Sequence, residues 1–123
     1  MLDTLLLMLL LQMKHYYADF AIQTYAQTVR KGIYKDPVGI SHSLDHVTGS
    51  LIVLLVASFF ITLSLPLVLL LCIIEGILHY HIDWFKVHYG VKDLTKSLFW
   101  NQFGMDQLAH QLSYIGMIYL LLA

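Results

Sequence analysis

Residues 47–78 read VTGSLIVLLVASFFITLSLPLVLLLCIIEGIL and form the longest apolar stretch of the chain. As a single helix this stretch would be about 48 Å long at about 1.5 Å per residue, too long for a hydrocarbon core of about 30 Å. The triplet Ser64-Leu65-Pro66 indicates a break, because proline is disfavoured inside a helix but accepted in its first turn, with serine as the N-cap. We therefore favour a hairpin here, with one membrane span on each side.

The composition is typical of a membrane protein. Apolar residues make up 59% of the chain and charged residues 12%, against about 45–50% and about 25% in soluble domains. A chain of 123 residues forms one domain. The net charge of −1 gives no reason to expect nucleic acid as a partner. Cys72 is the single cysteine, so an internal disulfide is excluded.

Apolar stretches on both sides of the hairpin predict two more spans. The first starts within Met1–Leu11, which has neither a positively charged start nor a small-residue cleavage site, so we expect a retained helix rather than a signal peptide. The predicted fold is all-α, an integral membrane four-helix up-down bundle in one domain. Its spans are expected at about 4–29, 43–64, 66–88 and 102–122.

The basic residues predict the orientation of this bundle. With a hairpin, all of them fall toward one side of the membrane, whereas a single long span would divide them between the two sides. The positive-inside rule makes that side cytoplasmic and places both termini outside, which fits a bacterial inner membrane. The seven basic residues are Lys14, Arg30, Lys31, Lys35, Lys86, Lys92 and Lys96.

Each predicted span carries two histidine or aspartate residues four positions apart, and such a pair shares one helix face. The pairs lie at the C-terminal ends of the first and third spans and at the N-terminal ends of the second and fourth. In an up-down bundle these four ends are on the same side, so the pairs converge near the cytoplasmic leaflet. They are His15 and Asp19, His42 and His46, His79 and Asp83, and Asp106 and His110.

Such a cluster is a ligand set for a divalent transition metal, and facing helices of a bundle are a frame for such sites. All eight paired residues are predicted metal ligands, for one or two ions. Zinc is the leading choice, with iron, manganese or nickel as alternatives. The predicted catalytic residues are Glu75, Asp83, which is also a predicted ligand, and Lys86. Glu75 or an aspartate that does not bind the metal could act as general base, and Lys86 could hold an anionic group or pair with Asp83.

The leading hypothesis is a metal-dependent hydrolase of a lipid-linked or amphipathic ester or phosphoester, because a soluble substrate gains little from a site inside the leaflet. The alternatives are a proton- or metal-ion-coupled transporter, since buried histidine and aspartate chains also form relays, and a membrane interaction protein with a structural polar cluster. We expect membrane lipids as partners, and self-association stays open. No serine or cysteine nucleophile motif is present.

Other polar residues receive simpler interpretations. A single histidine–aspartate pair is usually an interhelical hydrogen bond, so the hypothesis rests on all four pairs together. His81 and His88 lie on the opposite face of their helix from His79 and are excluded as ligands. Lys31, Lys35, Lys92 and Lys96 are read as topology determinants, and Tyr114 as a packing or interfacial residue. Gly49, Gly104 and Gly116 are read as points of close helix approach.

The four motifs HYYADFAIQ (15–23), HSLDH (42–46), HYHIDWFK (79–86) and DQLAH (106–110) resemble, in order, those of a domain-of-unknown-function family. That family comprises small multi-pass membrane proteins of bacteria and phages. The chain is also distantly similar to small membrane-bound metal-dependent hydrolases, an analogy of fold and composition only. The family resemblance implies that the site includes, besides the paired residues and Lys86, Gln23 and Gln107.

Overall fold

The computed structural model describes residues 1–123 and contains helices and no strands, which confirms the all-α prediction. The helices are α1 (Leu2–Tyr16), α2 (Tyr25–Arg30), α3 (Pro37–Ala57), α4 (Leu65–Tyr89) and α5 (Ser97–Leu122), and a π-helical segment, Tyr17–Ala21, extends α1. α1, α3, α4 and α5 pack in a ring in which each long helix contacts two others. Helices α3 and α4 have 21 and 25 residues, and an 18-residue window of each has a mean hydropathy of 1.4 and 1.9, so they are long and apolar enough to cross a membrane.

The central apolar stretch is two helices. α3 ends at Ala57, and α4 begins at Leu65 with Pro66 in its first turn, as the proline position predicts. The connection is wider than a tight turn at Ser64–Pro66, since it starts at Ser58. Ser64 occupies the N-cap position, but its side chain makes no capping hydrogen bond.

The first predicted span, 4–29, is not one continuous helix. The α-helix gives way to the π-helical segment Tyr17–Ala21, and the chain then leaves the helical conformation before Thr24. Thr24 restarts it as α2 through a capping box, in which its side chain accepts a hydrogen bond from the Gln27 backbone and the Gln27 side chain accepts one from the Thr24 backbone.

Helix α3 begins at Pro37 rather than at about residue 43, because Asp36 caps it. Asp36 Oδ1 accepts a hydrogen bond from the Val38 backbone at 2.9 Å, and Oδ2 accepts one from Arg30 at 2.7 Å. Desolvation acts to raise the pKa of Asp36, but these hydrogen bonds outweigh it and hold the pKa below its ordinary value. The fourth helix also begins earlier than predicted, at Ser97 rather than at about residue 102.

Glycines let the helices approach closely at two points. At Gly76, a Cβ would collide with the side chain of Val47, and the Gly76 carbonyl accepts a hydrogen bond from Ser43 Oγ at 2.6 Å. At Gly49, a Cβ would lie 2.7 Å from Cγ of Lys14. The first contact fixes α3 against α4 one turn from the histidines, and the second makes room for the Lys14 side chain.

The two ends of the bundle differ in chemistry. One end has a continuous apolar core, formed by Leu7, Leu11, Leu54, Ala57, Val68, Leu71, Cys72, Tyr114, Met117, Ile118 and Leu121. At the other end the buried side chains are polar or charged. The polar end is also where the loop 31–36 covers α4, since the Lys35 backbone donates to Tyr80 Oη at 2.6 Å.

Candidate metal centre

The polar end of the bundle buries a cluster of charged and imidazole side chains, each less than 9% exposed. Buried ionisable groups are tolerated only when they are paired, hydrogen-bonded or bound to a metal. All eight predicted metal ligands belong to this cluster, together with two lysines and a glutamate. The members are Lys14, His15, Asp19, Lys31, His42, His46, Glu75, His79, Asp83, Asp106 and His110.

A first group of donor atoms surrounds the Asp19 carboxylate. Asp19 Oδ1 lies 2.8 Å from His46 Nε2, 3.1 Å from His42 Nε2 and 3.9 Å from His79 Nε2. The facing nitrogens Nε2 of His42 and Nε2 of His79 are 3.4 Å apart. All four donor atoms lie within 4.8 Å of one another, so the group could hold a metal ion.

A second group surrounds the Asp83 carboxylate. His79 Nε2 lies 3.2 Å from Asp83 Oδ2, and His110 Nε2 lies 3.3 Å from Asp83 Oδ1. The His79 and His110 rings stack with their centroids 4.1 Å apart. These three donors also lie within 4.8 Å of one another. The two groups share His79, whose Nε2 can bind only one ion at a time.

The spacing of these atoms fits a metal. Ligand atoms about 2.0–2.1 Å from a tetrahedral ion are about 3.3 Å apart, which is close to most of the separations in both groups. Asp83 Oδ2 lies 3.1–3.3 Å from Lys31 Nζ, His42 Nε2 and His79 Nε2, yet it forms a hydrogen bond with none of them. Asp83 Oδ2 thus has Lys31 as a charge partner but no hydrogen bond, and a bound cation would satisfy it.

The charges in the cluster also fit a divalent cation. Asp19, Asp83, Asp106 and Glu75 are four carboxylates, and Lys14 and Lys31 are the two lysines buried with them. If the imidazoles are neutral, two negative charges remain. One divalent ion would neutralise them, as would protonation of two of the imidazoles that contact the aspartates.

Two of the predicted ligands lie beside these groups rather than in them. His15 Nε2 is 2.8 Å from Gln107 Oε1, and its Nδ1 is 3.0 Å from Tyr114 Oη, so both ring nitrogens already have partners. Asp106 lies behind His110, with its Oδ1 3.5 Å from Nε2 of that ring. His15 also approaches Asp19 Oδ2 at 3.2 Å, and it therefore orients the carboxylate of the first group.

A buried ion pair lies between the donor groups and the apolar core. Lys14 Nζ donates to Glu75 Oε1 at 2.7 Å and to Tyr114 Oη at 3.1 Å, and it is 3.3 Å from His46 Nδ1. Lys14, counted above only among the basic residues that predict the orientation, is therefore part of the buried cluster, and Tyr114 is more than a packing or interfacial residue. With Lys14 donating to Nδ1 of His46, the ring carries its proton on Nε2 and donates to Asp19. These hydrogen bonds describe the site without metal, because a protonated Nε2 of His46 cannot bind an ion.

The helix pattern of the sequence contains a signal for the burial of both Lys14 and Tyr114. Lys14 lies seven residues after Leu7 and three after Leu11, on the stripe that α1 buries, and Tyr114 follows His110 by one turn of α5. A lysine on an apolar stripe opposite a glutamate predicts a buried pair. Lys31 could not be found in this way, because it lies just after α2 and reaches the cluster only through the path of the loop.

Lys31, not Lys86, pairs with Asp83. Lys31 Nζ lies 3.1 Å from Asp83 Oδ2. Lys86 Nζ lies 5.2 Å from the centre of the Phe103 ring, and it makes no ion pair. The interpretation of Lys31 as a topology determinant is therefore incomplete, and the proposed Lys86–Asp83 pair is wrong.

The remaining polar residues divide as follows. Gln107 contacts the site through His15 and donates to Asp106 Oδ2 at 3.3 Å. Gln23 donates to the Asp19 carbonyl at 2.6 Å and helps to end the π-helical segment. His81 and His88 are exposed and bind backbone carbonyls outside the cluster, in agreement with their exclusion as ligands.

Comparison with known proteins gives one match. A family model described as "Protein of unknown function (DUF3307)" matches residues 5–123. This agrees with the resemblance of the four motifs to a family of unknown function. No curated protein and no solved structure matches the chain.

Proposed function

We propose, for a chain that belongs to the DUF3307 family of proteins of unknown function, that it is a membrane-embedded hydrolase dependent on a divalent transition metal. Its substrate is a lipid-linked or amphipathic ester or phosphoester at the cytoplasmic leaflet. One observation carries this proposal, namely the two overlapping histidine–aspartate donor groups that share His79 inside the bundle.

The surface of the bundle supports its placement in a membrane. Besides the two apolar helices α3 and α4, both α1 and α5 expose large apolar side chains outward. Leu5 and Leu9 of α1 are 61% and 57% exposed, and Leu112 and Ile115 of α5 are 56% and 49% exposed. Monomeric soluble proteins rarely expose so much apolar surface. This pattern favours four spans, with α1 and α5 presenting one apolar face each to lipid.

Zinc fits this donor set best among the metals. It takes imidazole nitrogen and carboxylate oxygen in tetrahedral sites, and its catalytic sites combine three protein ligands with one open position. Iron, manganese and nickel accept the same ligand types, so the donors alone do not select among them. When bound, a divalent metal polarises a carbonyl or phosphoryl oxygen and makes water at the site more acidic.

The residues around the donors support particular roles. Glu75 lies one turn deeper than His79 and is bonded to Lys14, so it acts through Lys14 to position His46 rather than as the general base first proposed for it. Asp106 is better placed for a proton transfer, because its Oδ1 has no hydrogen-bond partner and it lines a groove on the protein surface. Lys31 balances the charge of Asp83.

A hydrolysis assay on the purified protein tests this function. We expect metal-dependent cleavage of a chromogenic amphipathic ester or phosphodiester in mixed micelles, abolished by chelation and restored by Zn²⁺. The variants Asp83→Ala and His110→Ala should lose this activity, whereas His88→Ala, which removes an exposed histidine of the same helix as Asp83, should keep it. Hydrolysis that survives in both site variants would refute the proposal.

A proton- or ion-coupled transporter is the second candidate. A hydrogen-bonded chain runs from Glu75 through Lys14 and His46 to Asp19, as a relay requires. The core beyond Glu75 is apolar, and Ser50, the one buried polar side chain of α3 past His46, has no hydrogen-bond partner, so no chain of hydrogen bonds continues to the other side. A transporter must produce flux into proteoliposomes, and that flux must depend on Glu75. A hydrolase produces no such flux.

A further inference from the structure

The outer surface of the bundle carries a groove between α4 and α5, at the polar end. Its volume is about 450 Å³. The groove follows α4 from Leu78 to Gly90, a length of about 18 Å at about 1.5 Å per residue. It faces away from the ring of helices, toward the surroundings of the bundle. Its apolar walls are formed by Leu78, Ile82, Phe85, Met105 and Ala109.

The groove changes in polarity along its length. Its deep part, near Leu78 and Ala109, is apolar except for His81, whose Nδ1 is bonded to the Ile77 carbonyl. Its shallow part contains Lys86, which makes no ion pair and lies over the Phe103 ring, and Gln102. Gln102 accepts a hydrogen bond from the Val91 backbone at 2.8 Å through Oε1, so its amide nitrogen remains free to donate. An unpaired cation and a free donor at the shallow end are complementary to an anionic head group.

Asp106 connects the groove to the donor groups. This side chain is 6% exposed and lines the groove one turn deeper than Gln102. Its Oδ1 has no hydrogen-bond partner and lies 3.5 Å from His110 Nε2. A molecule in the groove would therefore have its middle portion beside Asp106 and only one side chain away from His110.

We infer that this groove binds an anionic phospholipid from the membrane. One hydrocarbon chain lies along the apolar walls, the phosphate contacts Lys86 and Gln102, and the glycerol ester region faces Asp106. That the bound lipid is a substrate rests on the proposed function, whereas the binding itself requires no metal. Charge complementarity and the change in polarity along the groove select the anionic lipid over a neutral one.

Native mass spectrometry of the detergent-purified, metal-stripped protein tests this inference. The probes are phosphatidylglycerol, phosphatidylcholine with the same acyl chains, and inorganic phosphate. We expect roughly tenfold tighter binding of phosphatidylglycerol than of phosphatidylcholine, the scale of one charge-assisted contact. Lys86→Gln should abolish this preference, and Lys92→Gln, an exposed loop lysine, should keep it. Ala109→Phe, which fills the deep part of the groove, should weaken the binding of both lipids by about the same factor.

Several results would overturn the inference. These are equal binding of the two lipids by the wild type, a preference that survives Lys86→Gln, and displacement of the lipid by millimolar inorganic phosphate, which would indicate a simple anion site. The Lys86→Gln result decides the matter if Ala109→Phe fails to fold. Because the metal has been stripped, a failure here leaves the hydrolase proposal standing, and lipid binding without hydrolysis would refute only the latter.

Discussion

Lys14 and Glu75 form an ion pair whose side chains are 3% and 1% exposed, in contact with both the donor groups and the apolar core. Such a pair contributes little net stability compared with well-packed apolar residues, but each partner depends on the other. The Lys14 ammonium also holds Tyr114 Oη and faces His46. Through these contacts the ion pair connects the apolar core to the donor groups and positions His46.

Removing one charge of this pair should be far worse than removing both. We expect Lys14→Met to destabilise the protein by about 3–5 kcal/mol, because it leaves the Glu75 carboxylate buried and unpaired. The double variant Lys14→Met, Glu75→Leu should recover most of that loss. Denaturation in detergent, followed by circular dichroism, measures both. Additive losses in the double variant would mean that the two side chains act independently.

The site residues that sequence reasoning found and missed differ in how they reach the cluster. Pairs spaced by four residues on a helix, such as His79 and Asp83, can be predicted because the helix alone puts them on one face. The π-helical segment, which brings the Asp19 carboxylate to His46, could not be predicted in this way, because it depends on tertiary packing. Lys31 was missed for a similar reason, because a loop carries it to Asp83.

The α3–α4 contact depends on the absence of a side chain at Gly76. A Cβ there would collide with Val47, a stiff β-branched residue, whereas a Cβ at Gly104 or Gly116 would meet nothing within 4 Å. The prediction of close helix approach was thus right for Gly49 but wrong for Gly104 and Gly116, and it omitted Gly76. Small residues can be read from the sequence, but which of them faces a neighbouring helix cannot.

Alanine substitutions at Gly76 and Gly116 should have opposite effects. We expect Gly76→Ala to destabilise the protein by about 1–3 kcal/mol through overpacking against Val47. Gly116→Ala, the matched control in α5, should be neutral or stabilise by up to about 1 kcal/mol through its higher helix propensity. Thermal unfolding in one detergent compares the two. A stabilised Gly76→Ala variant would show that the helices can separate at this point without loss.

The helix elements also show why the helix boundaries differ from the boundaries of the predicted spans. Hydropathy marks where lipid-compatible sequence lies, whereas caps decide where helices begin. Asp36 extends α3 toward its N-terminus beyond the apolar stretch, and Thr24 restarts the chain as α2 after the π-helical segment. The break before Pro66 was predictable because proline acts on the backbone locally, independently of packing.

The two loops that carry basic residues lie at the same end of the molecule. The loop 31–36 packs on the polar end of α4, and the loop 90–96 follows α4 at the same end. The connection 58–64 lies at the other end and carries no basic residue. If the bundle spans the inner membrane as proposed, the positive-inside rule directs the polar end to the cytoplasm.

Cysteine labelling in a Cys72→Ser background tests this orientation. We expect Lys35→Cys and Lys92→Cys to react with an impermeant maleimide only after the membrane is opened. Phe60→Cys, in the connection between α3 and α4, should react from outside in intact spheroplasts. The reverse labelling pattern would indicate the opposite orientation. Labelling of all three positions from one side would contradict the proposal that α3 and α4 are two membrane spans.

The central claim of this account is a metal ion held at His79, where the two donor groups meet. Elemental analysis of the detergent-purified wild type beside His79→Ala tests it most directly, with His81→Ala as the control for an exposed histidine two residues away. The charge balance predicts about one equivalent of a divalent transition metal in the wild type, lost in His79→Ala and retained in His81→Ala. A folded wild type that binds no added metal, or a His79→Ala variant that keeps it, would contradict the claim.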